Sequence, residues 1–423
     1  MFESAEIGHE IDKSTFEEEY AKLRTELLEA QFDLIESGTF PVIIIAAGME
    51  GAGVIDALTN AHTVLDSRHV VTYATDAPTR EETERPRMWR FWRTLPPKGE
   101  IGIYVGAWYT APLIGRILGK TGSADFDRQM QSIKRLESML ATEGALILKF
   151  WFHLDKKKQK KRLQKLEESE RTKWRIEESP LGGSKHYEEV KSAAEQMMQI
   201  TGTDQAPWIP VNATNKHYKS LVVMRTILDA IQARLAEPPA KQPVAAPVRV
   251  PDIDGKTLLS TLDLSHRLEK ESYKKQLEKY QDRLNELVWD KKFRKHSVVL
   301  VFEGNDAAGK GGAIRRVIQF LDPRRYRVNQ YAAPTEEERA QPYLWRFWRR
   351  IPQNGHVGIF DRSWYGRVLV ERVEKFCSEA DWRRAYGEIN DFEAEMSQAG
   401  IVVIKFWLAI DKDEQETRFR ARE

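Results

Sequence analysis

The chain has 423 residues, 41% hydrophobic and 31% charged, with 66 Lys plus Arg against 64 Asp plus Glu and a net charge of +2. That balance excludes a disordered chain, names no partner by charge alone, and leaves room for two or three separate cores. The longest apolar stretch, Phe40 to Met49, is about half of what a bilayer span needs, the opening residues hold no apolar leader, and the single cysteine, Cys377, can form no internal disulfide. A cytoplasmic protein with no membrane partner is expected, and Cys377 is expected to be a packed small residue.

A charged helix with an apolar stripe is predicted over 16–36. It leads into an apolar run at 42–47, short enough for a strand buried on both faces, and then into "GMEGAGVID" at 48–56, a glycine loop that opens a helix. A strand near 70–73, the turn "APT" at 77–79, a helix bearing "WRFWR" at 89–93, a strand at 101–105, another helix and the strand "ALILKFWFHL" follow in order. The basic helix "DKKKQKKRLQKLEESERTKW" comes next, and the half runs on past Trp174, Trp208 and Tyr218. Residues 236–255, "AEPPAKQPVAAPVRVPDIDG", are rich in Pro and Ala and are expected to be an extended linker.

Beyond the linker the same order returns: a helix at 268–292, a strand at 298–303, "GNDAAGKGG" at 304–312, a strand at 328–331, "APT" at 333–335, "WRFWR" at 345–349, a strand at 357–360 and "IVVIKFWLAI". At an offset of 256 the two halves align without a gap from Gly48/Gly304 to Asp155/Asp411. A period this long is a duplicated domain, not a solenoid. The predicted fold class is α/β, a P-loop kinase-like parallel sheet flanked by helices and duplicated in tandem, with domains at 1–235 and 268–423 joined by a linker at 236–267.

Gly304 to Lys310 has the G-x-x-x-x-G-K spacing of a phosphate-binding loop, set between a predicted strand and a predicted helix. Glycines allow backbone N–H groups to turn around phosphate oxygens, the helix N-terminus adds positive potential, and the lysine reaches the transferring phosphate. Gly304, Ala308, Gly309 and Gly311 are the expected backbone contacts. A nucleotide-hydrolysing loop would carry Ser or Thr after the lysine, and this one has Gly311. The magnesium ligands are therefore expected to be Asp306, inside the loop, and Asp361, closing the apolar strand "HVGIF". The plainer roles for these two are a turn-capping carboxylate and a helix N-cap.

Residues 301–372 hold 13 Lys plus Arg against 8 Asp plus Glu, while the matching window 45–116 holds 8 of each. Arg315, Arg316, Arg346, Arg349 and Arg367 are candidates for gripping a long polyanion bidentately. A solvated basic surface accounts for others, such as Arg324, Arg325 and Arg372. Nucleic acid is the competing polyanion, and it is not expected, because Trp345, Phe347, Trp348 and Trp364 sit at positions that suit a core better than a stacking platform.

"GNDAAGKGG", "APT", "WRFWRRIP" and "FDRSWYGRVL" together resemble the family 2 polyphosphate kinases. The resemblance covers roughly 16–235 and 268–423, and the fused arrangement is similar to the polyphosphate:AMP phosphotransferases of that family. It implies inorganic polyphosphate as donor, AMP as acceptor and ADP as product, with Mg2+. By position, Asp306 and Lys310 become the acid and lysine of the first phosphate motif, and Asp361 and Arg362 the acid of the second and its arginine partner. These four are the expected catalytic residues.

In the first half Val54 stands for the lysine, Glu50 for the loop aspartate, Val105 and Gly106 for Asp361 and Arg362, and Thr59 and Asn60 for the arginine pair. That half is expected to have kept a core and lost its chemistry, serving as a stabilising or dimerising partner in a homo-oligomer. The second half ends at "RFRARE", the counterpart of a point inside the first half's basic helix, so it is expected to stop before its lid is complete. An ADP-directed polyphosphate kinase, an ATP-dependent nucleoside monophosphate kinase and a polyphosphate-binding scaffold are the alternative functions.

Overall fold

The computed structural model describes residues 2–74, 76–177, 181, 183–237 and 259–422. The linker expected at 236–267 lies largely outside the described residues. Two compact units form: one from Met1–Ala77, Thr94–Lys241 and Ala340–Pro342, the other from Pro78–Arg93, Gln242–Arg339 and Tyr343–Glu423.

The first long helix of the first unit, α1 (Lys13–Ser37), is started by Asp12, which accepts the Thr15 N–H at 2.9 Å, and stopped by Gly38 at φ +54°. The sheet contains β1 (Val42–Gly48), β2 (Val70–Ala74), β3 (Ile101–Val105), β4 (Leu146–His153) and β5 (Trp208–Asn212), in the order β2-β3-β1-β4-β5. All neighbours are parallel, with Val42 opposite both Ile101 and Leu146. β1 is central, which is why it is an unbroken apolar run. Ile45 is fully buried, and trimming it to alanine would cost roughly 2–5 kcal/mol.

Helix α2 (Val54–Val64) follows the glycine loop, α3 (Ser123–Thr142) precedes β4, and α4 (Lys156–Glu167) follows it. α5 (Tyr187–Thr201) packs on α3, and α6 (Lys216–Ala236) packs on α1 and α2.

The second unit repeats this order. α7 (Lys270–Trp289) leads to β6 (Ser297–Gly304), α8 (Lys310–Ile318), β7 (Tyr326–Gln330), β8 (Val357–Asp361), α9 (Glu379–Gln398), β9 (Ile401–Leu408) and α10 (Lys412–Arg420). The sheet is parallel in the order β7-β8-β6-β9. Leu300, Phe302, Ile314, Val357 and Ile359 form its core with Val288 and Leu321. β7 starts two residues earlier than the sequence suggests, because Tyr326 pairs with Val357 at an edge where alternate side chains are exposed and the apolar signal is weak. β9 is less covered than β4: Val402, Ile404, Phe406 and Trp407 are 40–50% exposed, whereas β4 is buried along nearly its whole length.

Pro78–Arg93 belongs to the second unit, where Trp92 stacks on Trp348 with ring centroids 5.5 Å apart. The tryptophans at the repeated "WRFWR" positions are core residues, as are Phe347 and Trp364. Cys377 is half-buried, its thiol pushed up by burial. Among the described residues no helix is long and apolar enough to cross a membrane.

Candidate active site

The glycine loop leaves β6 at Gly304, whose φ is +135°. A Cβ there would sit 2.2 Å from the Leu408 carbonyl oxygen, so only glycine lets β6 pass β9 and turn. The counterpart Gly48 meets the Phe152 carbonyl oxygen at 2.5 Å, so the close approach survives in both units. Ala308 is buried under the loop, while Gly309 and Gly311 are exposed on its rim. Open space faces the Cβ position of Gly311, so nothing steric dictates the missing hydroxyl.

Lys310 is the first residue of α8, and its Nζ donates to the carbonyls of Gly304 at 2.7 Å and Asn305 at 3.0 Å. Asp306 is exposed, and its Oδ1 accepts the N–H of Ala307 at 2.8 Å. From α10, Gln415 donates to the Asp306 carbonyl at 2.9 Å and Arg418 to the Ala307 carbonyl at 3.0 Å. The first unit keeps the glutamine brace: Gln159 donates to the Glu50 carbonyl at 3.2 Å.

Asp361 ends β8 directly beside Phe302 in the register of β6, so it emerges where the loop begins. Arg362 follows at φ +64°, an uncommon conformation for a side-chain-bearing residue, with its N–H on the Phe302 carbonyl at 3.2 Å. Asp306, Lys310, Asp361 and Arg362 thus gather at the carboxyl ends of two neighbouring parallel strands, the usual place for a ligand in such a sheet. Neither aspartate has an ion pair among the described residues. Two open carboxylates suit a hard cation that takes its remaining ligands from water and phosphate oxygens, and among the described residues no cluster of three or more His, Cys, Asp or Glu offers a closed metal cage.

The five candidate arginines divide. Arg315 and Arg316 are exposed on α8, about one and a half turns beyond Lys310. The other three are engaged within the fold. Arg346 is only 9% exposed, lies over Tyr331 at 4.8 Å and reaches Glu338 at 3.4 Å. Arg349 stacks on Trp345 at 4.2 Å and meets Glu337 at 3.2 Å. Arg367 lies over Tyr343 at 4.0 Å and meets Glu371 at 3.2 Å.

Sequence reading missed Glu303. It immediately precedes Gly304, accepts the Ser363 hydroxyl at 2.7 Å, and is pushed above the usual carboxylate range by burial, against the pull of Ser363, Lys310 and Arg362. The signal was present in the repeat: the counterparts are Ala47 and Ala107, so both partners are missing where the lysine is missing.

The polyphosphate kinase 2 family model matches residues 10–239 and 267–423. The chain belongs to the polyphosphate kinase 2 family. Among its relatives, the polyphosphate:AMP phosphotransferase of Pseudomonas aeruginosa is 52% identical over 425 residues, covering 100% of this chain and 86% of the relative. The one of Acinetobacter johnsonii is 34% identical, covering 95% of this chain and 82% of its own. The crystal structure of a polyphosphate kinase 2 from Pseudomonas aeruginosa PA01 superimposes with a TM-score of 0.90 at 50% identity, over 100% of this chain and 84% of that one. A polyphosphate kinase 2 from Arthrobacter aurescens TC1 matches 57% of this chain, and 87% of its own, at a TM-score of 0.52 and 27% identity. The expectation of a parallel α/β sheet flanked by helices and present twice in the chain holds.

Proposed function

We infer that this protein is a polyphosphate:AMP phosphotransferase, moving the terminal phosphate of inorganic polyphosphate to AMP to give ADP. The observation that carries the reading is the 52% identity, across the whole chain, with a relative of that name. A non-bridging oxygen of the AMP phosphate attacks the terminal phosphorus of the polymer, the bridging P–O bond breaks, and the polymer leaves one phosphate shorter. No covalent enzyme intermediate is needed, because the nucleotide phosphate is already ionised.

Catalysis then consists of positioning and charge stabilisation. The loop N–H groups from Gly304 to Gly311 cradle the transferring phosphate, Lys310 grips it, and Arg362 faces the charge that builds on the oxygens. Arg315 and Arg316, exposed beyond the loop, are the arginines placed to follow the polymer, Arg316 from a position 6.0 Å over the Tyr273 ring. Asp306 and Asp361 would hold Mg2+, which when bound neutralises part of the phosphate charge. The first unit lacks counterparts of Lys310, Asp361, Arg362, Arg315 and Arg316 and is assigned no transfer of its own. The site belongs in the cytoplasm with its nucleotide, and a homo-oligomer is expected, which light scattering checks.

The deciding experiment incubates the chain with AMP, Mg2+ and long-chain polyphosphate, with ATP as donor in a parallel reaction. ADP formed with polyphosphate alone as donor is expected. ADP formed only with ATP, or none at all, overturns the reading.

A further inference from the structure

The basic helix of the first unit takes no part in the reaction above. Its residues 156–167 carry seven basic side chains against one acidic, while the equivalent 412–423 of the second half carry four of each. The half without the reacting groups therefore has the more positive helix. A solvated face would explain charge on a helix, but it would not explain what that charge surrounds.

A cavity of about 1120 Å³ lies within the first unit. Lys158, Lys161, Arg162 and Lys165 of α4 line one side, at spacings that bring them to one face of the helix, and Lys216 and Lys219 of α6 line the other. Asp56 is the acidic residue of the lining. Lys158 has Asp155 at 3.0 Å and Arg162 has Asp56 at 3.7 Å. Lys161, Lys165 and Lys216 are exposed, and among the described residues none of them has an ion pair.

At the floor of this basic wall, Lys219 is fully buried, and its Nζ donates to the carbonyls of Ala52 at 2.9 Å and Gly53 at 2.8 Å. In the second unit Lys310 makes the same kind of contact from inside its own loop. An ammonium group brought in from α6 thus holds the degenerate loop at Ala52 and Gly53, the counterparts of Ala308 and Gly309, whereas Lys310 holds its own loop at Gly304 and Asn305. The degenerate loop is closed from below and still positive. Like charges held on facing walls of a cleft repel one another unless an anion lies between them, and such a cleft focuses its field on that anion.

We propose that this cavity is a second, non-catalytic binding site for inorganic polyphosphate, with Lys161, Lys165 and Lys216 as its gripping side chains. The choice of polymer rests on the phosphotransferase reading above. Nucleic acid fits less well, because the lining offers few rings for bases to stack on: its one phenyl ring, Phe16, is already packed on His217 at 4.4 Å. Polyphosphate asks only for dense positive charge.

The test titrates the full chain and its Lys161→Ala/Lys165→Ala/Lys216→Ala variant with fluorescent polyphosphate over a salt series, with thermal melts to confirm that the variant is folded. The expected result is two classes of site in the wild type and one in the variant, with the lost class weakened roughly ten-fold and the salt slope smaller by about two. Identical isotherms and slopes overturn the proposal, and so does displacement of this class by oligothymidylate at equal phosphate concentration. ADP formation by the wild type, measured on the same preparation, reports separately on the reaction: its absence overturns the phosphotransferase reading, while the difference between the isotherms still decides the second site.

Discussion

Ser363 donates its hydroxyl to Glu303 at 2.7 Å, tying the residue before the phosphate loop to the turn after Asp361. Phe302 and Asp361 form the last pair of the β6–β8 register, so this bond fixes the two strand ends just beyond it. In the first half both positions are alanine, Ala47 and Ala107. Ser363→Ala leaves a mostly buried carboxyl without its donor, at a cost of roughly 1–3 kcal/mol. We expect Ser363→Ala and Glu303→Ala to lower kcat for ADP formation with little change in KM for AMP, and Glu303→Gln, which keeps the acceptor oxygen, to recover most of the rate. Wild-type kcat in Glu303→Ala would remove the pair from catalysis.

Arg362 adopts φ +64°, and its counterpart Gly106 adopts φ +80°. Both positions lie at positive φ, although the chain then diverges, with Ala107 at φ +50° and Ser363 at φ −149°; only glycine takes a positive φ without steric cost, which for other residues is roughly 1 kcal/mol or more. Arg362→Gly is expected to raise the unfolding free energy by a few tenths to about 1 kcal/mol, the gain being reduced by the freer unfolded chain. Arg362→Ala keeps the strain and loses the charge. Both variants should lose activity, and only the glycine one should gain stability in denaturant titrations.

The strands were legible because β1 and β6 are central and apolar on both faces, and the loop was legible because strand, glycine spacing and lysine coincide. What the sequence hid are partnerships at a distance. "WRFWR" announces buried rings, but nothing local says that Trp92 stacks on Trp348 in the second unit. Arg346 displays its charge in the sequence, yet Tyr331 and Glu338, which occupy it, are neighbours only in the fold. Lys219 looks like one lysine in a helix until α6 carries it under the loop that lost its own.

Lys310 is held by two carbonyls of its own loop and, among the described residues, by no distant element. Removing it should therefore leave the fold intact and act on the reaction. Lys310→Ala is expected to lower kcat by roughly a hundred-fold or more, the size seen when one preorganised charge-stabilising group is deleted. Steady-state rates with polyphosphate and AMP, beside a thermal melt, check both halves of the statement.

Glu137 and Glu393 occupy equivalent positions in near-identical networks. Glu137 takes hydrogen bonds from Trp108 at 2.9 Å, Tyr109 at 2.6 Å and Lys149 at 2.7 Å. Glu393 takes them from Trp364 at 3.0 Å, Tyr365 at 2.7 Å and Lys405 at 2.8 Å. The surroundings differ: the Lys149 side chain is 0% exposed and that of Lys405 is 49% exposed. Glu137→Ala strands a buried ammonium, which costs roughly 3–5 kcal/mol. Glu393→Ala lets Lys405 turn to water, and its lost ion pair should be worth no more than about 1 kcal/mol. Calorimetry of the two variants should show the larger loss in Glu137→Ala, and equal losses would mean that burial does not govern these pairs.

Lys219 offers a pH signature. Burial and the nearby Arg162 charge lower its pKa to about 8, with Asp56 opposing, from the 10.5 that an ordinary lysine has in the unfolded chain. Between those two values the unfolded chain binds more protons, so stability rises with pH across that window. Below pH 8 the folded protein carries the full cost of a desolvated ammonium. Lys219→Met loses the two carbonyl contacts at every pH and loses this titration altogether. The stability of the wild type relative to the variant should therefore climb by up to about 3 kcal/mol from pH 8 to 10.5, at about 1.4 kcal/mol for each pH unit between the folded and unfolded pKa, and should be flat below pH 8. Urea unfolding at several pH values reads this difference directly. A difference that stays level to pH 10.5 would mean that Lys219 remains charged beneath the loop.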